Sequence, residues 1–164
     1  MRAAVPDALG PPVVCAPLGV ERRALGVRIA RTGMGRRSAA AARALGADGP
    51  RPVLVAGVAG ALAPQVRPGD VVVASEVRDG SGARGPVAVP TAEPLAAALR
   101  ALGLRVHVGP VVTTDGVVDG DTRIALSTTG ALAVDMESAD LATAAAGGPF
   151  AVVRVVVDTP GAPL

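Results

Sequence analysis

The sequence contains no lysine, tryptophan or tyrosine, and Phe150 is its single aromatic residue. All 16 basic residues are arginines, and the net charge is only +2. Without lysine the chain has neither a Walker-type phosphate lysine nor a Schiff base, which excludes pyridoxal chemistry anchored in that way. Because the charge is scattered and there are almost no rings to stack on bases, we expect no binding to nucleic acid.

Cysteine and histidine are equally scarce, with Cys15 and His107 as single copies. One cysteine forms no intramolecular disulfide, and one histidine with one cysteine does not make up the usual ligand set of a zinc site. We therefore expect no metal and no cofactor. The Cys15 thiol is predicted to be buried and His107 to be structural.

Long uninterrupted hydrophobic runs are also missing. Asp7 and three prolines interrupt the N-terminal segment where a signal peptide would have its apolar core. Arg154 divides the last apolar run before it reaches membrane-spanning length. The sequence thus predicts a cytoplasmic protein without membrane insertion.

What the chain does contain is valine, alanine and leucine. Half of its 164 residues are hydrophobic, and valine-rich runs suit strands that are buried on both faces. Predicted strands alternate with predicted helices, so we expect one α/β domain over residues 1–164, with three layers and a central mixed, largely parallel sheet. Strands are predicted at 12–17, 27–31, 53–56, 71–77, 104–114, 131–134 and 150–157, helices at about 32–45, 93–102 (capped by Thr91), 119–126 and 138–146, and loops at 57–60 and 78–85.

The stretch from 131 to 158 concentrates polar residues at the ends of strands. Glu137 follows one predicted strand, Asp158 ends the next, and an alanine-rich helix joins them. A connection of this kind predicts a right-handed crossover between parallel strands, which would bring both carboxylates to one edge of the sheet, where ligands bind. The alternative interpretation is structural, with Asp135 as a helix N-cap and Asp158 as an ordinary turn residue.

The segments VDMESADLATAA and PFAVVRVVVD resemble the signature of the nucleoside phosphorylase/nucleosidase superfamily. The resemblance is to 5′-methylthioadenosine/S-adenosylhomocysteine nucleosidases and their relatives, including phosphorylases associated with hopanoid biosynthesis. It implies a three-layer phosphorylase/hydrolase-like fold, a nucleoside substrate and a homodimer. The nucleosidases continue into a further helix after the position of Asp158, so the resemblance also implies that this fold lacks the family's C-terminal helix.

The resemblance assigns a role to each of several acidic residues. Glu21, in the pattern L-x-x-E after the first strand, matches the glutamate that activates water, and Asp158 matches the aspartate that gives a proton to purine N7. Glu137 matches the glutamate that receives the ribose hydroxyls, with Met136 along the ribose face. Asp135 stands where the family has another glutamate. From the residues alone, Glu21 also fits a solvated helix charge, and Met136 fits a core methionine.

Arg154 interrupts an apolar strand at a position where the family also has an arginine. A buried guanidinium needs a partner, so we predict that Arg154 pairs with a nearby carboxylate and orients the site. The alternative is that it points to an exposed face.

Two loops show departures from the family pattern. Gly57, Val58 and Ala59 match a loop that contacts substrate, but Val58 replaces its serine. Val117 stands where the family has an aromatic residue that stacks on the purine, a contact worth about 1–3 kcal/mol in nucleic-acid complexes. Val55 and Val58 also stand where related phosphorylases hold phosphate with an arginine and a serine.

These observations favour hydrolysis of the N-ribosidic bond of a purine nucleoside, with a 5′-substituted adenosine as the expected substrate. Phosphorolysis is the alternative, with phosphate as second substrate and an adenosyl lipid of hopanoid biosynthesis as one candidate; Arg22, Arg23 or Arg36 would then supply the anion site. A non-catalytic nucleoside-binding paralogue is a further alternative. A dinucleotide-binding domain is disfavoured because no G-x-G-x-x-G follows a strand.

Overall fold

The computed structural model describes residues 12–16, 29–33 and 36–160, and strands and helices alternate through that part of the chain. The elements are β1 (Val13–Ala16), β2 (Ile29–Arg31), α1 (Arg36–Gly46), β3 (Val53–Ala61), β4 (Val71–Asp79), β5 (Val87–Ala88), α2 (Ala92–Ala101), β6 (Val106–Thr113), α3 (Gly120–Ser127), β7 (Ala133–Asp135), α4 (Ser138–Ala142, followed by a 3₁₀ turn at Thr143–Ala145) and β8 (Phe150–Asp158).

The strands form one mixed sheet in the order β2-β1-β3-β7-β6-β4-β5, and β8 pairs with both β3 and β4. Through β8 the five strands β3, β7, β6, β4 and β8 close into a barrel, from which β1 and β2 extend beside β3. Most of the strand pairs are parallel, while β3–β7, β4–β5 and β4–β8 are antiparallel. The predicted α/β fold with a mixed, largely parallel sheet is confirmed, and barrel closure is an addition to it.

The predicted parallel crossover between β7 and β8 is wrong. Strand β7 runs antiparallel to β3, whereas β8 runs parallel to β3, so β7 and β8 point in opposite directions. The connecting helical segment 138–145 rises only about 14 Å, whereas the nine residues of β8 span about 30 Å. A helix this short cannot carry the chain back along β8, and it continues in the direction of β7 instead.

Strand β3 is longer than predicted. Gly57, Val58 and Ala59 belong to the strand rather than to a loop. They pair along one edge with Arg154 to Val156 of β8, while the end of β3 pairs on its other edge with β7. Strand β3 is therefore flanked by β7 and β8 on its two sides, and this arrangement places the site.

The expected helix cap at Thr91 is not formed. Thr91 precedes α2, but its hydroxyl makes no capping hydrogen bond and donates instead to the carbonyl of Phe150 at 3.0 Å. The side chain thus ties the start of α2 to the start of β8.

Helices cover both faces of the sheet. On one face, Val55, Val72 and Val152 pack in a cluster with Ala42 of α1 and Leu141 of α4. On the other face a smaller cluster joins β4 and β6 to α2. Burying each valine contributes about 1.5 kcal/mol or more, so this aliphatic core needs no aromatic residues.

Cys15 lies fully buried in the larger cluster, as predicted. Burial raises the pKa of its thiol to about 11, so the group stays protonated at neutral pH. Among the described residues, no helix has the length and apolar character required to cross a membrane.

Candidate active site

Arg154 is completely buried and pairs with two carboxylates. Its Nη2 lies 2.7 Å from Asp135 Oδ2 and 3.2 Å from Glu137 Oε2, and it also donates to the Ser138 hydroxyl at 3.1 Å. The predicted pairing of Arg154 with a nearby carboxylate is therefore confirmed. One guanidinium faces two acidic groups, so the cluster is held together by charge in a site from which water is excluded.

Asp135 is the centre of this cluster, since it forms the ion pair with Arg154 and accepts hydrogen bonds from neighbouring side chains and amides. The donors of these hydrogen bonds are the Thr113 hydroxyl at 2.7 Å, the Ser138 hydroxyl, and the backbone amides of Glu137 and Ser138, both at 3.2 Å. The amide contacts satisfy donors at the start of α4, as an N-terminal cap does. Asp135 thus bonds to amides at the start of α4, as the structural interpretation expects, and it also pairs with Arg154; its part in a reaction stays a prediction.

Asp158 is paired with Arg123, a residue to which the sequence assigned no role. Arg123 Nη1 lies 2.9 Å from Asp158 Oδ2, and Arg123 Nη2 lies 3.0 Å from Oδ1. The two side chains are only 5% and 13% exposed. This is a two-point ion pair of the kind that fixes the orientation of a carboxylate.

A bulge sets the direction of the Asp158 side chain. Ala59 pairs with Val156, but Gly60 pairs with Asp158, so β8 has one extra residue at this point. A Cβ added to Gly60 would lie 2.7 Å from Asp158 Oδ1, which shows that the carboxylate faces the same side as that Cβ. Arg154 pairs with Gly57, three residues before Gly60, and therefore points to the opposite face.

Glu137 and Asp158 lie near the end of β3 but on different edges and different faces of it, since Glu137 contacts Arg154 whereas Asp158 is on the Gly60 face. Asp158 lies opposite Gly60 on the β8 edge, and Val134 lies opposite Gly60 on the β7 edge, three residues before Glu137. Neighbouring strands are about 4.8 Å apart, so β7 and β8 are about 10 Å apart across β3.

The other predicted substrate-binding residues lie in β3, directly after β7 and in the loop before α3. Val58, on the same face of β3 as Gly60, is 36% exposed, whereas Ala59 is buried. Met136 is half-buried between Asp135 and Glu137. Val117 is 88% exposed in the loop before α3. Glu21, the predicted water-activating base, lies outside the described residues.

Sequence reasoning missed three polar groups of the site, namely Thr113, Arg123 and Ser138. For Thr113 the sequence contains a weak signal, namely a polar residue at the end of a predicted strand. In the structure Asp79, Thr113 and Asp135 end three neighbouring strands and lie side by side. For Arg123 the sequence contains no such signal. A hydrophobic pattern would bury Ile124 and expose the arginine, whereas α3 buries Arg123 and leaves Ile124 61% exposed.

A second polar cluster lies beside the first. Arg84 Nε donates to Asp79 Oδ2 at 2.7 Å, and its Nη2 lies 2.8 Å from Asp140 Oδ1. Clefts of about 190 and 110 Å³ adjoin Asp79 and Arg84, and neither is lined by Glu137 or Asp158. Arg84 therefore links the loop after β4 to helix α4, which carries the first cluster.

Hydrogen bonds from Ser81, with the Arg84 guanidinium, lower the pKa of Asp79 from 3.8 to about 2, against the opposing effect of burial. The folded state binds the Asp79 proton more weakly than the unfolded state does. The contribution of Asp79 to the free energy of unfolding is therefore complete above about pH 4 and is lost as the pH falls through about 2. Arg84 is 41% exposed, so screening limits the contribution to about 1 kcal/mol.

Asp79→Asn is accordingly expected to lower the free energy of unfolding by about 1 kcal/mol at pH 7 and to reduce its dependence on pH between 4 and 2. Urea unfolding at several pH values measures both quantities. Asp48→Asn, at a side chain that is 79% exposed, is the control. If Asp79→Asn shows the same pH dependence as the unaltered protein, this assignment of the acid-sensitive group is wrong.

The family model described as "Phosphorylase superfamily" matches residues 23–163. The chain therefore belongs to the phosphorylase superfamily. The prediction that it is an enzyme that cleaves N-glycosidic bonds is confirmed at this level. No match was found among curated proteins.

Solved structures of bacterial nucleosidases share the fold. The 5′-methylthioadenosine/S-adenosyl homocysteine nucleosidase from Campylobacter jejuni is 18% identical, with a TM-score of 0.78 over 93% of this chain and 87% of that chain. The enzyme from Neisseria meningitidis, in complex with methylthio-immucillin-A, is 21% identical, with a TM-score of 0.76 over 92% and 87%. S-adenosylhomocysteine nucleosidase from Streptococcus pyogenes, in complex with 5-methylthiotubericidin, is 23% identical, with a TM-score of 0.74 over 92% and 85%.

Proposed function

We propose that the protein hydrolyses the N-ribosidic bond of a purine nucleoside, with 5′-substituted adenosines as its substrate class. The observation that carries this proposal is the position of two acidic residues on either side of β3. Glu137 follows β7, and Asp158 ends β8 opposite Gly60. In the proposed complex Glu137 turns away from Arg154 towards Gly57–Gly60, so that one nucleoside contacts both acidic residues. The similar nucleosidases, which bind nucleoside analogues, support the substrate class.

In this proposal Glu137 receives the ribose hydroxyls. Arg154 holds Asp135 at 2.7 Å and Glu137 at 3.2 Å, so Glu137 makes the longer of the two contacts. Binding of ribose would draw Glu137 towards the hydroxyls, while Asp135 would continue to neutralise Arg154. A carboxylate near the sugar also stabilises the positive charge that develops there as the bond breaks.

Asp158 then acts as the general acid. Because its carboxylate is ion-paired with Arg123, Asp158 first takes up a proton from water. That proton passes to N7 of the purine as the bond between C1′ and N9 breaks, so that the base leaves neutral. Water adds to C1′ and gives its proton to Glu21, which completes the products, free base and ribose. Hydrolysis is preferred over phosphorolysis because Val55 is buried in the core and Val58 is apolar, so neither can bind phosphate.

The test is release of adenine from 5′-methylthioadenosine, measured with and without phosphate. Release without phosphate supports the proposal, and strict dependence on phosphate would replace hydrolysis by phosphorolysis. Binding without turnover of any 5′-substituted adenosine would identify a nucleoside-binding protein instead.

Val117→Phe tests the predicted place of the base. A phenyl ring in this exposed loop would stack on the purine and contribute about 1–3 kcal/mol, so KM for the nucleoside should fall by about fivefold or more. Leu102→Phe, at another exposed apolar residue, is the control and should leave KM unchanged. An unchanged KM in Val117→Phe would remove this residue from the site.

A further inference from the structure

Arg123 uses every nitrogen of its guanidinium to join α3 to the ends of β3 and β8. Nε and Nη2 donate to the Ala61 carbonyl at 3.2 and 2.9 Å. Nη1 and Nη2 donate to the two carboxylate oxygens of Asp158 at 2.9 and 3.0 Å, and Nη2 also lies 3.4 Å from the Asp158 carbonyl. The guanidinium is thus fixed on the backbone of β3 and presents its remaining edge to Asp158.

The packing of α3 alone does not explain why residue 123 is an arginine. Arg123 is 4% exposed, while its neighbour Ile124 is 61% exposed. A buried ion pair is often no more stabilising than two apolar residues of similar size, so α3 and β8 could be held together without either charge. Helix packing alone therefore does not explain the arginine, and the side chain that it contacts is Asp158, the acid of the proposed reaction.

We propose that Arg123 is a positioning residue for Asp158. It holds the carboxyl group on the Gly60 face of the sheet, and its guanidinium stabilises the carboxylate that forms when Asp158 gives its proton to the leaving base. The inference rests on the proposed function, because it assigns to Arg123 an effect on a reaction that Asp158 carries out.

The first experiment compares Arg123→Met and Arg123→Lys in the unaltered protein and in an Asp158→Asn background. Arg123→Met should lower kcat by about 10- to 100-fold with KM changed by less than about threefold. Arg123→Lys, which keeps the charge, should recover at least about threefold of that loss. If Arg123 acts through Asp158, the effects of Arg123→Met and Asp158→Asn on the activation free energy are not additive. Arg123→Met should then change the residual kcat of Asp158→Asn by less than about twofold. Arg105→Met, at an arginine that is 65% exposed, is the control.

Gly60→Ala provides a second variant that leaves Arg123 and Asp158 in the sequence. The added Cβ would lie 2.7 Å from both Arg123 Nη2 and Asp158 Oδ1, so the pair must shift. We expect a fall in kcat of about tenfold, with a melting temperature close to that of the unaltered protein. Gly85→Ala, where a Cβ meets nothing within 4 Å, should have no effect. If Arg123→Met does not fold, this variant decides the question through KM, which should change by less than about threefold if the Cβ displaces the pair and should rise further if it displaces substrate.

The outcomes separate this inference from the function on which it rests. If the unaltered protein releases no base from any nucleoside, the proposed function fails and the role of Arg123 fails with it. If the unaltered protein is active but the losses from Arg123→Met and Asp158→Asn multiply, or Lys performs no better than Met, only the inference about Arg123 is overturned.

Discussion

Arg154→Met is expected to lower the free energy of unfolding by about 3–5 kcal/mol, the usual effect of removing one partner from a buried ion pair. The substitution keeps much of the side-chain volume but leaves Asp135 and Glu137 without their cation. Their side chains are 0% and 6% exposed, so water cannot replace it. Urea unfolding at pH 7, followed by circular dichroism, measures the loss.

Arg105→Met is the matched control for this result. Arg105 lies 3.5 Å from Asp70 and is 65% exposed, and an exposed pair contributes about 0–1 kcal/mol. Arg154→Lys should fall between these two variants, because it keeps the positive charge but loses the Nη2 group that makes every contact described above. If Arg154→Met is as stable as the unaltered protein, the buried cluster does not hold α4 against β8.

Asp158→Asn is expected to lower kcat for base release by about 10²- to 10⁴-fold, the range for loss of a general acid. An asparagine retains the shape of the side chain and accepts one hydrogen bond from Arg123, but it has no carboxyl proton to give. KM should change by less than about threefold, because the group acts on the leaving base rather than on binding. Steady-state kinetics with 5′-methylthioadenosine measure both constants.

Asp121→Asn, on the exposed surface of α3, is the control for removal of an acidic group. The melting temperatures of both variants show whether a loss of rate follows from a loss of folded protein. Near-normal kcat in a folded Asp158→Asn variant would contradict the assignment of Asp158 as the acid.

The strand that carries Asp158 could be predicted from the sequence, but its direction relative to β7 could not. Runs of valine between glycine and proline indicate a buried strand locally, and β8 covers Phe150–Asp158 as expected. The direction of β8 relative to β7 depends on how each of them pairs with the strand between them. That strand is β3, which is antiparallel to β7 and parallel to β8. The small rise of the segment 138–145 is the one local feature that argues against a returning helix.

In the candidate site, likewise, one arginine pairing could be predicted from the sequence and another could not. The pairing of Arg154 follows from the sequence, because an arginine within an apolar strand requires a partner wherever the strand is buried. The pairing of Arg123 with Asp158 depends on a rotation of α3 that exposes Ile124, and on a bulge at Gly60 that turns Asp158 to the other face. Both features arise from tertiary packing, and neither leaves a local pattern in the sequence.

A structure with a bound, uncleaved 5′-substituted adenosine analogue would show whether Glu137 and Asp158 contact one ligand. We expect the nucleoside to lie across Gly57–Gly60, with its ribose hydroxyls within hydrogen-bonding distance of Glu137 and N7 of its base facing Asp158. A nucleoside bound in the cleft beside Asp79 and Arg84, or with its base and ribose in contact with neither acidic residue, would contradict this expectation.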